Sequence, residues 1–173
     1  MSLENNTKTV ELSIQIASDL HIEYLEGNPD PLSMIIPSAD ILILAGDIGS
    51  IYKYEQLETF LVKLCPHFKA VLMCIGNREY YDMKGYKPTT MEILLERLMT
   101  IKKGIDNLHI LNRNSVQIGD LCIVGCTLWS NLKVNIPSFI VKISDMNSHI
   151  YRKKYEEDLE YIEKMIDYCT EKK

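Results

Sequence analysis

The stretch AVLMCIGNREYY, residues 70–81, begins as an unbroken apolar run and stops abruptly at Gly76, Asn77, Arg78 and Glu79. Ala70 to Ile75 shows none of the alternation of a half-exposed strand, and β-branched residues stand among its members. Such a run fits a strand buried on both faces, of the kind found in the middle of parallel α/β sheets. Ligands collect beyond the carboxyl ends of those strands, so the residues after Ile75 are the first place to look for chemistry.

Working outward, Leu12 to Ala17, Ile41 to Ala45 and Leu121 to Gly125 also read as strands, and Ser115 to Ile118 pairs with the last across a Gly-Asp turn as a hairpin. Between the second and third strands, YEQLETFLVKLC sets Leu57, Phe60, Leu61 and Leu64 at helical spacing. TTMEILLERLMTIKKG repeats the pattern with Met91, Leu94, Leu95 and Leu98 before Gly104 stops it. The final YRKKYEEDLEYIEKMIDYCTEKK carries Tyr151, Tyr155, Leu159, Ile162 and Ile166 as an amphipathic stripe. The expected fold is α/β: a βαβαβ sheet, a β meander and a C-terminal amphipathic helix. No repeat, low-complexity tract or Pro/Gly linker divides residues 1–173, which read as a single domain.

Composition narrows the function. A formal net charge of −5 and the lack of a Lys/Arg stripe argue against coating nucleic acid, and an anionic substrate would need a metal or a placed arginine. Five cysteines, Cys65, Cys74, Cys122, Cys126 and Cys169, are an odd number with several in apolar runs, so buried reduced thiols and a cytoplasmic location are expected. The polar start MSLENNTKTVE has no signal-peptide pattern, and no stretch is apolar for long enough to span a membrane. Redox or nucleotide-binding α/β alternatives lack a Cys-x-x-Cys, a dinucleotide fingerprint or a phosphate-binding loop.

Three strand ends share a pattern. SDLHIEY gives Asp19 and His21, LAGDIG gives Asp47, and IGNREYY gives Asn77. In adjacent parallel strands these ends lie side by side, bringing two carboxylates, an imidazole and an amide into one volume. That ligand set suits Mn, Fe, Zn or Mg ions. Asp19 and His21 would hold one ion, and Asp47 would bridge to a second held also by Asn77. Two close ions polarise a phosphoryl oxygen and acidify a water. Taken singly, Asp19 fits a cap or turn, and Asn77 fits a left-handed turn. Glu79 reads as a surface charge paired with Arg78 or a lysine. His67, His109 and His149 read as structural or surface residues. Trp129 is expected to pack beside the site or the core, and Tyr80 and Tyr81 to line a pocket.

At this point the chain resembles the calcineurin-like metallophosphoesterases, whose pattern is Asp-x-His, then Gly-Asp, then Gly-Asn-His-Asp/Glu. Asp47 follows Asp19 by 28 residues and Asn77 follows Asp47 by 30, spacings of the size a βαβ unit needs. The later LHILNRNSVQIGDLCIVGCTLWSNL also resembles the family's meander strands and its Gly-x-Thr-Leu-Trp segment. The resemblance implies hydrolysis of phosphomonoesters or phosphodiesters at a two-metal site, with Asp19, His21, Asp47 and Asn77 as ligands. Asp47 and Arg78 would serve catalysis, and Asn77 and Arg78 would bind the substrate.

Two departures qualify that expectation. The family's histidine after the motif asparagine protonates the leaving oxygen, whereas here Arg78 follows Asn77. An arginine holds its proton at any working pH, so it clamps phosphate rather than acting as an acid. Family members also continue into a strand with a metal-binding histidine and a Gly-His-x-His motif, which complete the metal shells and a second sheet. This chain reaches Lys173 before either, so the domain and its second sheet are expected to be incomplete relative to the family. Two functions stay open. One is a weak phosphoesterase acting on a phosphate ester. The other is a non-catalytic scaffold that binds a protein partner, or self-associates, at the surface the missing half would leave.

Overall fold

The structure, a computed structural model, describes residues 12–135 and 140–171. The polar segment 1–11 and the last two lysines, read above as lacking a signal pattern and as the end of the final helix, lie outside the described residues.

The strands are β1 (Ile14–Ala17), β2 (Ile41–Ala45), β3 (Ala70–Cys74), β4 (Leu108–Leu111), β5 (Asn114–Ile118) and β6 (Leu121–Gly125). The helices are the short α1 (Pro31–Met34), α2 (Tyr54–Leu64), α3 (Met91–Lys103) and α4 (Ser148–Glu171). β1 to β4 form a parallel sheet in chain order, and β5 and β6 form a separate antiparallel pair. The fold is therefore α/β; β4 joins the parallel sheet as a fourth strand, so the expected meander is reduced to the β5–β6 hairpin, and α1 is an element the sequence reading did not expect.

The parallel sheet buries two different faces. Leu42, Leu44, Val71, Met73, Leu108 and Ile110 point into a core shared with the apolar sides of α2 and α3. On the opposite face Ile41, Leu72 and Leu111 lie beneath Val116, Ile118 and Ile123 of the hairpin. This double burial is why β2 and β3 read as continuous apolar runs. The hairpin sits so close that a Cβ on Gly125 would fall 2.6 Å from the Cβ of Leu111. Cover ends toward β1, where Ile16 is 67% exposed on the hairpin side of the sheet.

The stripe on α4 is buried only in part: Tyr151 is buried, Tyr155 packs against the main core and Ile162 is half-buried, but Leu159 and Ile166 are exposed, and the charged Asp158 is buried alongside. Asp158 accepts from Arg113 Nη1 at 2.8 Å and from the Trp129 main-chain N–H at 3.2 Å, tying α4 to the segment that leaves the hairpin. Trp129 is buried in the main core, its ring edge-on to Tyr151 at 5.0 Å. Among the cysteines, only Cys65 is fully buried; the other four are half-buried, and no disulfide joins any of the five. His149 lies within the first turn of α4 rather than before it. No helix of the described residues is long and apolar enough to cross a membrane.

Asp158→Ala would strip a partner from both Arg113 and a buried main-chain N–H. A loss of about 2–3 kcal/mol is expected, less than for a fully buried pair because Arg113 is partly solvated. Urea denaturation of the variant measures it.

Candidate metal centre

The carboxyl ends of β1, β2 and β3 lie side by side because their registers align Ala17 with Leu44 and Ala45 with Cys74. The pairing of the first two chains runs on past the strands. Asp19 N–H donates to Gly46 O at 3.1 Å, His21 N–H to Asp47 O at 3.1 Å, and Ile22 N–H to Ile48 O at 3.0 Å. Within this extended ladder Asp19, His21 and Asp47 all adopt positive φ, 55°, 49° and 56°. Such backbone costs about 1–3 kcal/mol per non-glycine residue and collects at functional sites. Asn77, expected to be free for a left-handed turn, has φ −74° and opens a short 3₁₀ turn instead.

The three left-handed residues converge. One potential ligand atom from each of Asp19, His21 and Asp47 lies within 4.8 Å of the others. Asn77 stands at the adjoining strand end and donates its amide to the Tyr81 hydroxyl at 3.4 Å. Arg78 reaches the cluster through its backbone, whose N–H donates to Asp47 Oδ1 at 3.0 Å, while its guanidinium lies over the Tyr81 ring, 4.7 Å from the centroid. His67, His109 and His149 are not in the cluster.

Two supporting carboxylates escaped the sequence reading. Glu79 is not a surface charge. It is fully buried, and its Oε2 accepts from Asp47 N–H at 3.0 Å while Oε1 accepts from Ile48 and Gly49 N–H at 2.6 and 3.3 Å. This clamp fixes the turn that presents Asp47. Gly76 makes the approach possible, since a Cβ there would fall 2.1 Å from Asp47 Oδ1. The second is Glu23, buried and 3.2 Å from His21 Nδ1. A carboxylate only accepts, so Nδ1 carries the proton and Nε2 keeps its lone pair for a ligand, the arrangement typical behind metal-binding histidines. The one signal in the sequence was the spacing His-x-Glu in HIEY.

The donor set fits a divalent cation. Four carboxylates gather at the strand ends, yet among the described residues no lysine or arginine forms an ion pair with Asp19, Asp47, Glu23 or Glu79. Glu23 Oε2 is buried with no hydrogen-bond partner. The excess of negative charge is visible on Glu79, whose carboxyl is pushed up to about 7, first by burial and then by the charge of Asp47, against the opposing pull of its three N–H donors. A cation beside Asp47 would relieve this repulsion.

No family model matches the sequence. A protein of Acanthamoeba polyphaga mimivirus, described only as uncharacterized, is 27% identical over 149 residues, covering 81% of this chain and 52% of its own length. The chain thus spans about half the length of that relative.

Replacing Glu79 by Gln would set an amide NH₂ against backbone donors on one side of the clamp and cost about 1–3 kcal/mol. The pH dependence has a definite sign. With its carboxyl raised from 4.5 to about 7, the folded chain keeps a proton that the unfolded chain releases, so the contribution of Glu79 to stability is greatest at acid pH and is lost as pH rises through about 7. In chelator-treated protein the urea midpoint is expected to fall across that window, and Glu79→Gln to flatten the fall.

Proposed function

We propose that this chain carries a divalent-metal site that supports phosphoester hydrolysis, the activity of the metallophosphoesterases its motifs resemble. The observation that carries the reading is the convergence of Asp19, His21 and Asp47 at adjoining parallel strand ends, with Glu23 behind the imidazole and Glu79 behind the Asp47 turn. Asp19, His21 and Asp47 would hold the ion, Mn, Fe, Zn or Mg, with Asn77 beside them and a second ion in the family's pattern. Bound there, such an ion supplies Lewis acidity toward a phosphoryl oxygen and lowers the pKa of water.

The chain's own groups divide the remaining work. Asp47 is presented by a turn that Glu79 holds rigid, so its carboxylate needs no reordering to meet a ligand. His21 offers Nε2 because Glu23 occupies Nδ1. Arg78 projects an exposed guanidinium from the turn that abuts Asp47, where it would accept a phosphate through two parallel hydrogen bonds. It supplies no proton to a departing oxygen, and loss of such an acid costs about 10²–10⁴ in rate. Activity is therefore weak and favours esters whose leaving group departs as an anion.

A second reading, a non-catalytic module that binds a protein partner or a further copy of itself, draws on the apolar side chains exposed at Ile14, Ile16, Val124 and Leu128. The assay that separates the two uses excess Mn²⁺ and a series of aryl and alkyl phosphates. The phosphoesterase reading expects slow turnover of the aryl esters, steeply falling with leaving-group basicity and abolished by Asp47→Asn. Turnover that Asp47→Asn leaves unchanged, or none at all, would favour the binding module.

A further inference from the structure

A cavity of about 310 Å³ opens directly beside the metal cluster. Three of its lining residues already touch that cluster: Glu23 holds the His21 imidazole, the Tyr24 ring is 5.9 Å from it, and Arg78 donates its backbone N–H to Asp47. The rest of the lining brings in Lys84 and Lys142, from segments far apart in sequence.

Arg78, Lys84 and Lys142 therefore face one small space, in a chain whose net charge is −5. None of the three forms an ion pair among the described residues. Two carboxylates also line the cavity, one fewer than its three cations. Glu23 is turned to His21, and Asp82 accepts from the hydroxyls of Tyr52 and Ser144. The walls are also fixed in place. Asp82 N–H donates to Lys142 O at 2.7 Å, joining the two lysine-bearing loops, and the Tyr52 hydroxyl accepts from Thr89 N–H at 3.0 Å, closing the loop that holds Lys84. These contacts order the main chain beneath Lys84 and Lys142, whose exposed side chains are free to settle on an arriving anion.

We infer that this cavity receives a second phosphate group of the substrate, so that the chain acts on compounds carrying two phosphates rather than one. The inference rests on the phosphoesterase reading for the placement of the first phosphate. Arg78 stands between the two positions, Lys84 and Lys142 pair with the outer phosphate, and the ring of Tyr81 supports the Arg78 guanidinium. A phosphate held at the cluster and by Arg78 leaves Lys84 and Lys142 for a further anionic group, so selectivity for a second phosphate is what this arrangement adds. The two phosphates could be joined through an anhydride oxygen or through a carbon linker, and the same three cations would meet either.

The test reads binding, not turnover, and so is independent of whether the ester is hydrolysed. Inorganic orthophosphate, inorganic pyrophosphate and propane-1,3-diol bisphosphate are titrated calorimetrically into the full chain, with chelator and again with Mn²⁺, at low ionic strength. At least one of the two-phosphate probes is expected to bind about tenfold more tightly than orthophosphate, and Lys84→Ala with Lys142→Ala to erase that preference. Lys84→Arg with Lys142→Arg should restore it, which a merely structural role of either lysine would not require. Preference for pyrophosphate identifies an anhydride and preference for the bisphosphate identifies a carbon linker; either upholds the inference. Equal affinity for all three probes in the wild type, or a preference that survives the double alanine variant with its circular dichroism unchanged, overturns it. Absence of turnover in the ester assays alongside an intact two-phosphate preference would remove the hydrolytic reading and leave the cavity as a site that binds two-phosphate compounds without acting on them.

Discussion

The buried carboxylate of Glu79, accepting the N–H groups of Asp47, Ile48 and Gly49, is the contact on which the site depends. It joins the carboxyl end of β3 to the chain after β2, whose carbonyls still pair with the chain after β1 while its N–H groups need other acceptors. The turn after β2 must leave the sheet, and its donors would otherwise be buried without acceptors, at a cost of about 1–3 kcal/mol each. One side chain meets all three. In doing so it holds Asp47 in a left-handed conformation that an aspartate tolerates but does not prefer. Gly76 completes the arrangement by leaving room for Asp47 Oδ1 where any side chain would collide.

This explains the uneven legibility of the sequence. The parallel sheet could be read because its central strands are buried on both faces, and nothing but continuous apolar side chains meets that demand. The convergence of Asp19, His21 and Asp47 could be read, because topology alone brings parallel strand ends together. Glu79 could not. It adjoins an arginine in the chain, and adjacent opposite charges describe a solvated surface equally well. Its role follows from three backbone donors about thirty residues earlier, which no local pattern encodes. Asp158 was hidden for the same reason: a carboxylate on the charged side of a helical stripe turns inward because Arg113 and the Trp129 N–H await it.

Electrostatics then organise the surface around the strand ends. A clutch of carboxylates without cationic partners calls for a cation, and the cavity beside it, lined by Arg78, Lys84 and Lys142, calls for an anion. The proposed metal-bound phosphate compound would meet both demands at once. The roomier cleft of about 570 Å³ between Tyr24, Tyr54, Gln56 and Tyr86 shares Tyr24 with this region's lining, and it carries none of the three residues Asp19, His21 and Asp47. Because the mimiviral relative is about twice as long as the aligned region, the activity and partners of the whole protein are proposals that begin from this half.

Calorimetric titration of Mn²⁺ into chelator-stripped protein, compared with Asp47→Asn, tests the central claim most directly. The account predicts near-stoichiometric binding to the wild type and its loss in the variant. Absence of binding at millimolar Mn²⁺, or binding that Asp47→Asn leaves intact, would contradict it.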